Sequence, residues 1–211
     1  MTNVFNRFEK STSPQKALKW AISIILPSLI LFGANQVLVT WNLSNLLTAV
    51  EKSESSMKSY SAAARVGKPA PGVENEYWSV YGMDIDYVGP RDNWAREHIV
   101  PAAVKILPEL NASIAELEGM KLLTFDQGMK LAKVSYLNHA KEWRSALEAV
   151  IVCGDREIDS YLWRCIDDYY YYGGDEKISR TWDSAKIEFA RISPMFSFYS
   201  INTRISKVFG D

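Results

Sequence analysis

No Asp, Glu, Lys or Arg falls between Lys19 and Glu51, and within that gap Ala21 to Val39 reads AISIILPSLILFGANQVLV. A helix rises 1.5 Å per residue, so about 20 such residues cross a hydrocarbon core of about 30 Å. Trp20 and Trp41 bracket the run, about 31 Å apart on that rise, where interfacial aromatic rings prefer to sit. The pattern predicts a transmembrane helix over 20–41, because a charge-free run this long is costly to hide in a small soluble domain. Pro27 removes one ladder hydrogen bond and predicts a kink. Gly33, Asn35 and Gln36 lie in the second half of the span. Small residues let helices approach and amides in hydrocarbon seek partners, which makes this a candidate helix-association face. An amide close enough to the outer interface is equally well satisfied by water.

Beyond Trp41 the period of three and four continues through Leu43, Leu46, Leu47, Val50, Met57 and Tyr60. One apolar face is thus predicted on a helix that runs on from the span over 42–64. Gly67 to Gly72, GKPAPG, begins a linker and aromatic loop over 65–90. Within it, 77–88 reads YWSVYGMDIDYV, with Tyr77, Tyr81, Met83, Ile85 and Tyr87 on one parity, which predicts a short strand or irregular aromatic segment.

The region 91–211 reads as helices. Asp92 is placed to cap a helix at Asn93 and Trp94, and Pro101 and Pro108 predict two short helices between about 91 and 118. Thr124 and Gln127 make a capping-box pattern ahead of Phe125, Met129, Ala132, Tyr136, Ala140, Trp143, Leu147 and Val150, one face of a long helix ending at Gly154. Asp155 is placed to cap a third long helix carrying Ile158, Leu162, Ile166 and Tyr169, stopped by Gly173-Gly174. Ile178, Trp182, Ala185, Phe189 and Ile192 mark a fourth. Ser193-Pro194 then open a last helix through Phe198, Ile201, Ile205 and Val208. Short connections between such helices favour antiparallel neighbours. The expected fold is mainly α: one N-terminal transmembrane helix followed by an antiparallel helical bundle.

Charge settles the topology of this expectation. Arg7, Lys10, Lys16 and Lys19 oppose Glu9 before the span, whereas Lys52 and Lys58 lie beyond it. The bias puts residues 1–19 in the cytoplasm and the bulk of the chain outside the cell membrane. A cleaved signal peptide is the competing reading, but the basic stretch is long and Phe32 stands three back from a cut after Ala34, where a small residue is wanted. A retained signal-anchor fits better. The whole chain carries –1, and the segment through Trp41 carries +3, leaving the rest net acidic. Nucleic acid is therefore not an expected partner, since it needs a basic face.

Candidate chemistry is sparse. Cys153 and Cys165 are the only cysteines. An extracytoplasmic setting favours a disulfide, yet a hairpin at Gly154 would leave Cys165 about 15 Å along the next helix. Bridging needs Cα atoms within about 7 Å, so helical spacing favours two unlinked thiols unless 153–158 folds back. His98 and His139 have no second histidine at metal-binding spacing, and Asp84-x-Asp86 lacks the Gly and Glu of a calcium loop. No phosphate loop or serine elbow occurs. Neither catalytic residues nor a metal or cofactor can be named.

The tract Asp167 to Glu176, DDYYYYGGDE, is the most unusual. Tyr170 and Tyr171 are candidates for partner contact, since tyrosine combines apolar area with a polar tip. The plainer expectation puts Tyr169 and Tyr172 against the core and leaves Tyr170 and Tyr171 idle at the surface. Trp78, Tyr81, Trp94 and Tyr136 are the candidate lining of a ligand pocket. The expected function is that of a structural or accessory subunit with a protein partner or a second copy of itself. A ligand-binding or sensory module is the alternative, and a hydrolase using Asp84, Asp86 or Glu97 comes last.

Overall fold

The computed structural model describes residues 14–68, 79–80, 83–84, 90–122, 127–155, 162–192 and 199–210. These residues are nearly all helical. Helix α1, Pro14–Arg65, runs through Pro27 without interruption. It has two halves of opposite character. Ile22, Ile24, Ile25, Leu26, Leu29, Ile30, Leu31 and Val37 are exposed on every side of the helix, whereas Val39, Leu43, Leu46, Leu47 and Val50 are buried. Leu31 is 71% exposed and Leu43, twelve residues on, 0%. The first half is long and apolar enough to cross a membrane. Gly67, at φ 66°, turns the chain just beyond the end of α1.

Strands β1 (Ser79–Val80) and β2 (Met83–Asp84) form a two-rung antiparallel ladder, Ser79 opposite Asp84 and Val80 opposite Met83. The next helical region departs from the two short helices expected. Helix α2 (Pro90–Trp94) passes through a π-helical turn, Ala95–Ile99, straight into α3 (Val100–Gly119). Pro101 lies in the first turn of α3, where a missing N–H costs nothing, and Pro108 is carried inside the helix. Asp92 is buried and caps a different helix from the one expected. Its Oδ1 accepts from the backbone N–H of Trp163 at 2.6 Å, at the start of α5 (Leu162–Tyr169).

Helix α4 (Gln127–Gly154) buries Met129, Ala132, Tyr136, Ala140, Leu147 and Val150, as its period requires, and leaves Trp143 half-buried. Phe125 and the Thr124 cap lie outside the described residues. The third long helix is corrected: α5 has eight residues and comes after a stretch, 156–161, that is not described. It ends in a π-helical turn, Tyr170–Gly174, in which Tyr172 (ψ 23°) and Gly173 (φ 102°) leave helical geometry. Helix α6 (Asp175–Arg191) then begins, with Ala185 and Phe189 buried, and α7 (Tyr199–Phe209) completes the domain. Ser193, Pro194 and Phe198 lie outside the described residues.

Cross-helix contacts fix who neighbours whom. Lys52 pairs with Glu116 at 3.2 Å and Ser56 donates to Glu109, so α3 meets α1 with its numbering reversed. Ser184 donates to Ser135 while His139 meets Thr181, the same reversal between α4 and α6. Arg204 clamps α7 to α1: its Nε and Nη2 each donate at 2.9 Å to the two Glu51 carboxylate oxygens, and Nη1 donates to Ser44 Oγ at 3.1 Å. That two-pronged bond holds the Glu51 carboxyl below its usual range. Cys153 and Cys165 are joined, with Cα atoms 5.8 Å apart. The unlinked thiols favoured by helical spacing are thereby corrected. Helix α5 lies alongside the end of α4, which brings the two cysteines together. Gly154 permits a close approach there, because a Cβ would meet Val100 Cγ1 at 2.6 Å.

Candidate functional site

Four buried residues with polar groups converge at one level. Glu54 and Ser53 come from α1, Tyr136 and His139 from α4, and all four are buried. Their positions follow from helical spacing: Ser53 and Glu54 continue the buried face of Val50, while Tyr136 and His139 are three apart on α4. The Tyr136 hydroxyl lies 2.9 Å from Glu54 Oε1 and 3.2 Å from the Val50 carbonyl. His139 Nδ1 lies 3.2 Å from the Ile178 carbonyl of α6, an acceptor only, so the proton of the neutral ring sits on Nδ1. Nε2 then turns its lone pair toward Glu54 Oε1 at 3.9 Å. Around them Phe209 stacks on Phe189 and Trp182, and meets Tyr136 edge-on with ring centres 6.3 Å apart.

Burial governs the protonation of this cluster. It raises the Glu54 carboxyl above its ordinary value against the opposing bond from Tyr136. It also pushes the Tyr136 phenol well up and brings His139 down to about 4. The His139–Glu54 approach is thus no ion pair near neutral pH, since the imidazole is uncharged. Both states of Glu54 keep the network satisfied. Ionised, it accepts from Tyr136; protonated, it donates to the phenol oxygen, which then donates to Val50. Tyr136→Phe removes that relay and is expected to cost about 1 to 3 kcal/mol, by stranding a buried acceptor. A lower denaturant midpoint with unchanged slope would record it.

Glu54 also reaches the surface. It lines a cleft of about 440 Å³ between α1 and α7, together with Glu51, Ser55, Lys58, Ser59 and Lys207. Neither Lys58 nor Lys207 makes an ion pair among the described residues, whereas Glu51 is held by Arg204. The cleft therefore offers two ammonium groups, Lys58 near Glu54 and Lys207 near Glu51, and two serine hydroxyls around a carboxyl with a raised pKa. No protein-family model, curated protein or solved structure matches this chain.

Of the aromatic pocket expected from sequence, the two described members, Trp94 and Tyr136, do not come together. Trp94 is buried near the far end of α1, packed on Trp163 with centroids 5.3 Å apart, and its Nε1–H donates to the Val66 carbonyl at 2.9 Å. Tyr136 bonds at Val50 instead, sixteen residues and about 24 Å lower along α1. Trp78 and Tyr81 lie outside the described residues. So do the side chains of Tyr170 and Tyr171. Tyr172 is 80% exposed and does not face the core as expected, because the non-helical step at Tyr172 and Gly173 turns it outward. Gly33 and Asn35 are exposed on the apolar half of α1, and Gln36 Oε1 is shielded yet accepts no hydrogen bond among the described residues.

Asp84 carries no described side chain, Asp86 lies outside the described residues, and Glu97 faces solvent beside His98. Among the described residues no three His, Cys, Asp or Glu side chains gather as a metal site would require. Sequence reasoning missed the Glu54–Tyr136–His139 cluster. A Glu inside the apolar stripe of 43–60 was the available signal, since carboxylates are almost never fully buried unless paired.

Proposed function

We propose that this chain is a single-pass membrane protein whose outer domain is an antiparallel helical bundle serving as a structural or accessory subunit through protein contacts. One observation carries the anchoring: the apolar residues from Ile22 to Leu38 are exposed all round a helix whose continuation is the core of the domain. A helix apolar on every side needs protein or lipid around it, and none of the described residues covers it. The reversed pairings of α1 with α3 and of α4 with α6 support the antiparallel bundle. The excess of Lys and Arg before the span supports a cytoplasmic N-terminus. A disulfide in the domain supports an oxidising compartment on the other side.

The accessory role rests on rigidity and surface. One rod joins the span to the bundle and is clamped by Arg204 and Lys52, so the bilayer would set the height and orientation of the domain. Leu131 and Val134 are exposed one turn apart on α4. Crosslinking in native membranes, mild-detergent purification and mass spectrometry test the role. The expected result is a stoichiometric membrane or envelope partner, recovered reciprocally and lost with Leu131→Glu and Val134→Glu. A monomer without partners would sink it. The second reading is a ligand module, favoured by Lys58 near Glu54 and Lys207 near Glu51 in one cleft. It predicts a small acidic metabolite that stabilises wild-type protein and fails to stabilise Lys58→Ala with Lys207→Ala.

A further inference from the structure

A second cleft, of about 430 Å³, opens at the foot of the domain between α1 and the end of α3. Trp41, Asn45 and Thr48 line it from α1, and Glu116 and Lys121 from α3 and the residues just after it. Its height is set by α1. If the hydrocarbon core of about 30 Å ends near Trp41, the headgroup layer adds about 5 to 7 Å per side, or roughly four residues of helix. Trp41 through Asn45 therefore lie within that layer, and Thr48 about one turn beyond it.

The polar groups of this cleft are arranged unevenly. Glu116 is already engaged by Lys52 at 3.2 Å. The exposed end of α3 is closed by Lys133, whose Nζ donates to the carbonyls of Met120 at 2.6 Å and Glu118 at 3.3 Å. Lys141 holds the Glu118 carboxylate at 2.7 Å. Asn42 also lines the cleft but is buried and already engaged, so what remains is one cation, Lys121, with the Asn45 amide and the Trp41 indole N–H. None of the three has a hydrogen-bond or ion-pair partner among the described residues, and Trp41 is 54% exposed. The cleft thus has one uncompensated positive charge, two neutral donors and no uncompensated carboxylate.

We propose that this cleft binds the phosphodiester headgroup of an anionic phospholipid in the outer leaflet, with Lys121 on the phosphate, Asn45 donating beside it and Trp41 packing on the glycerol region. The inference rests on the reading that α1 spans a membrane. An anionic headgroup fits better than a zwitterionic one, because a headgroup ammonium would find its only carboxylate taken by Lys52. Tryptophan at this depth is placed as interfacial anchors are, and lysine close to an anionic bilayer contributes in the way this pairing needs.

The test uses the full chain in nanodiscs of phosphatidylcholine alone or mixed with phosphatidylglycerol, with native mass spectrometry of the protein released from them. Wild-type protein should retain phosphatidylglycerol in preference to phosphatidylcholine. Lys121→Ala should lower that retention about fivefold, and Asn45→Ala should lower it as well. Lys105→Ala, an exposed lysine higher on α3, should leave it unchanged, and so should added inorganic phosphate if the lipid is the ligand. Equal retention of the two lipids, equal losses in Lys105→Ala and Lys121→Ala, or displacement by inorganic phosphate would each overturn the proposal. A chain that inserts but retains no lipid overturns this inference alone. One that does not enter nanodiscs overturns the membrane reading and this inference with it.

Discussion

Replacing both half-cystines, Cys153→Ser with Cys165→Ser, is expected to lower the unfolding free energy by about 3 kcal/mol. The bond closes a loop with a sequence separation of 12, and its main effect is to restrict the unfolded chain. It also secures the least supported helix. With eight residues, α5 is below the length at which a helix holds itself together in water. It is kept in place by the disulfide, by Leu162 and Ile166 in the core, and by the Asp92 carboxylate at its N-terminus. Chemical denaturation of oxidised, reduced and double-serine protein measures the effect. Reduced wild type should match the double variant, and the near-ultraviolet signal of Trp163 packed at a tilt against Trp94 should weaken in both. An unchanged midpoint on reduction would mean that packing alone holds α5.

The second large effect is expected on the acid side of the stability profile. His139 is held down to about 4 by burial, so the folded state binds fewer protons than the unfolded state between that value and the ordinary 6.5. Its contribution is complete above about pH 6.5 and is lost as pH falls toward 4. The loss is on the order of 3 kcal/mol, from the gap between 6.5 and about 4 at about 1.36 kcal/mol per pH unit. Glu54 acts in the opposite sense. Its carboxyl is raised by burial, so it stabilises the fold at low pH and loses that contribution as pH rises through its folded value. The two slopes therefore oppose one another on the acid side of the profile. Comparing wild type with His139→Gln isolates the histidine, because the amide can still donate to the Ile178 carbonyl but does not titrate. The variant should lack most of the acid limb; profiles that remain parallel from pH 7 to 4 would show that His139 is hydrated or charged in the fold.

Much of the architecture was legible because helical period is a local property. The apolar residues of α1 from Leu43 to Tyr60, the described inward face of α4 apart from half-buried Trp143, and Ala185, Phe189 and Ile192 are buried where spacing alone would put them. The errors cluster where the chain departs from one regular period. Pro101 reads as a break, yet it sits harmlessly in the first turn of α3 after a π-helical turn. Asp92 reads as a local cap because sequence shows only its neighbours along the chain, whereas its real partner is 71 residues away. Tyr172 reads as inward on an ideal helix, and the conformation of Tyr172 and Gly173 turns it out.

By itself the sequence determined the long apolar run, its bracketing tryptophans, the charge asymmetry around it and the helical character of the chain beyond Trp41. Each depends on the solvent preference or backbone preference of residues close together in the chain. The tertiary structure alone decided that Cys153 meets Cys165, that Glu54 of α1 faces Tyr136 and His139 of α4, and that Arg204 returns to clamp Glu51. Those pairings depend on the relative rotation and height of packed helices. A period of 3.6 specifies which face of a helix is buried; it does not specify which residue of another helix stands opposite.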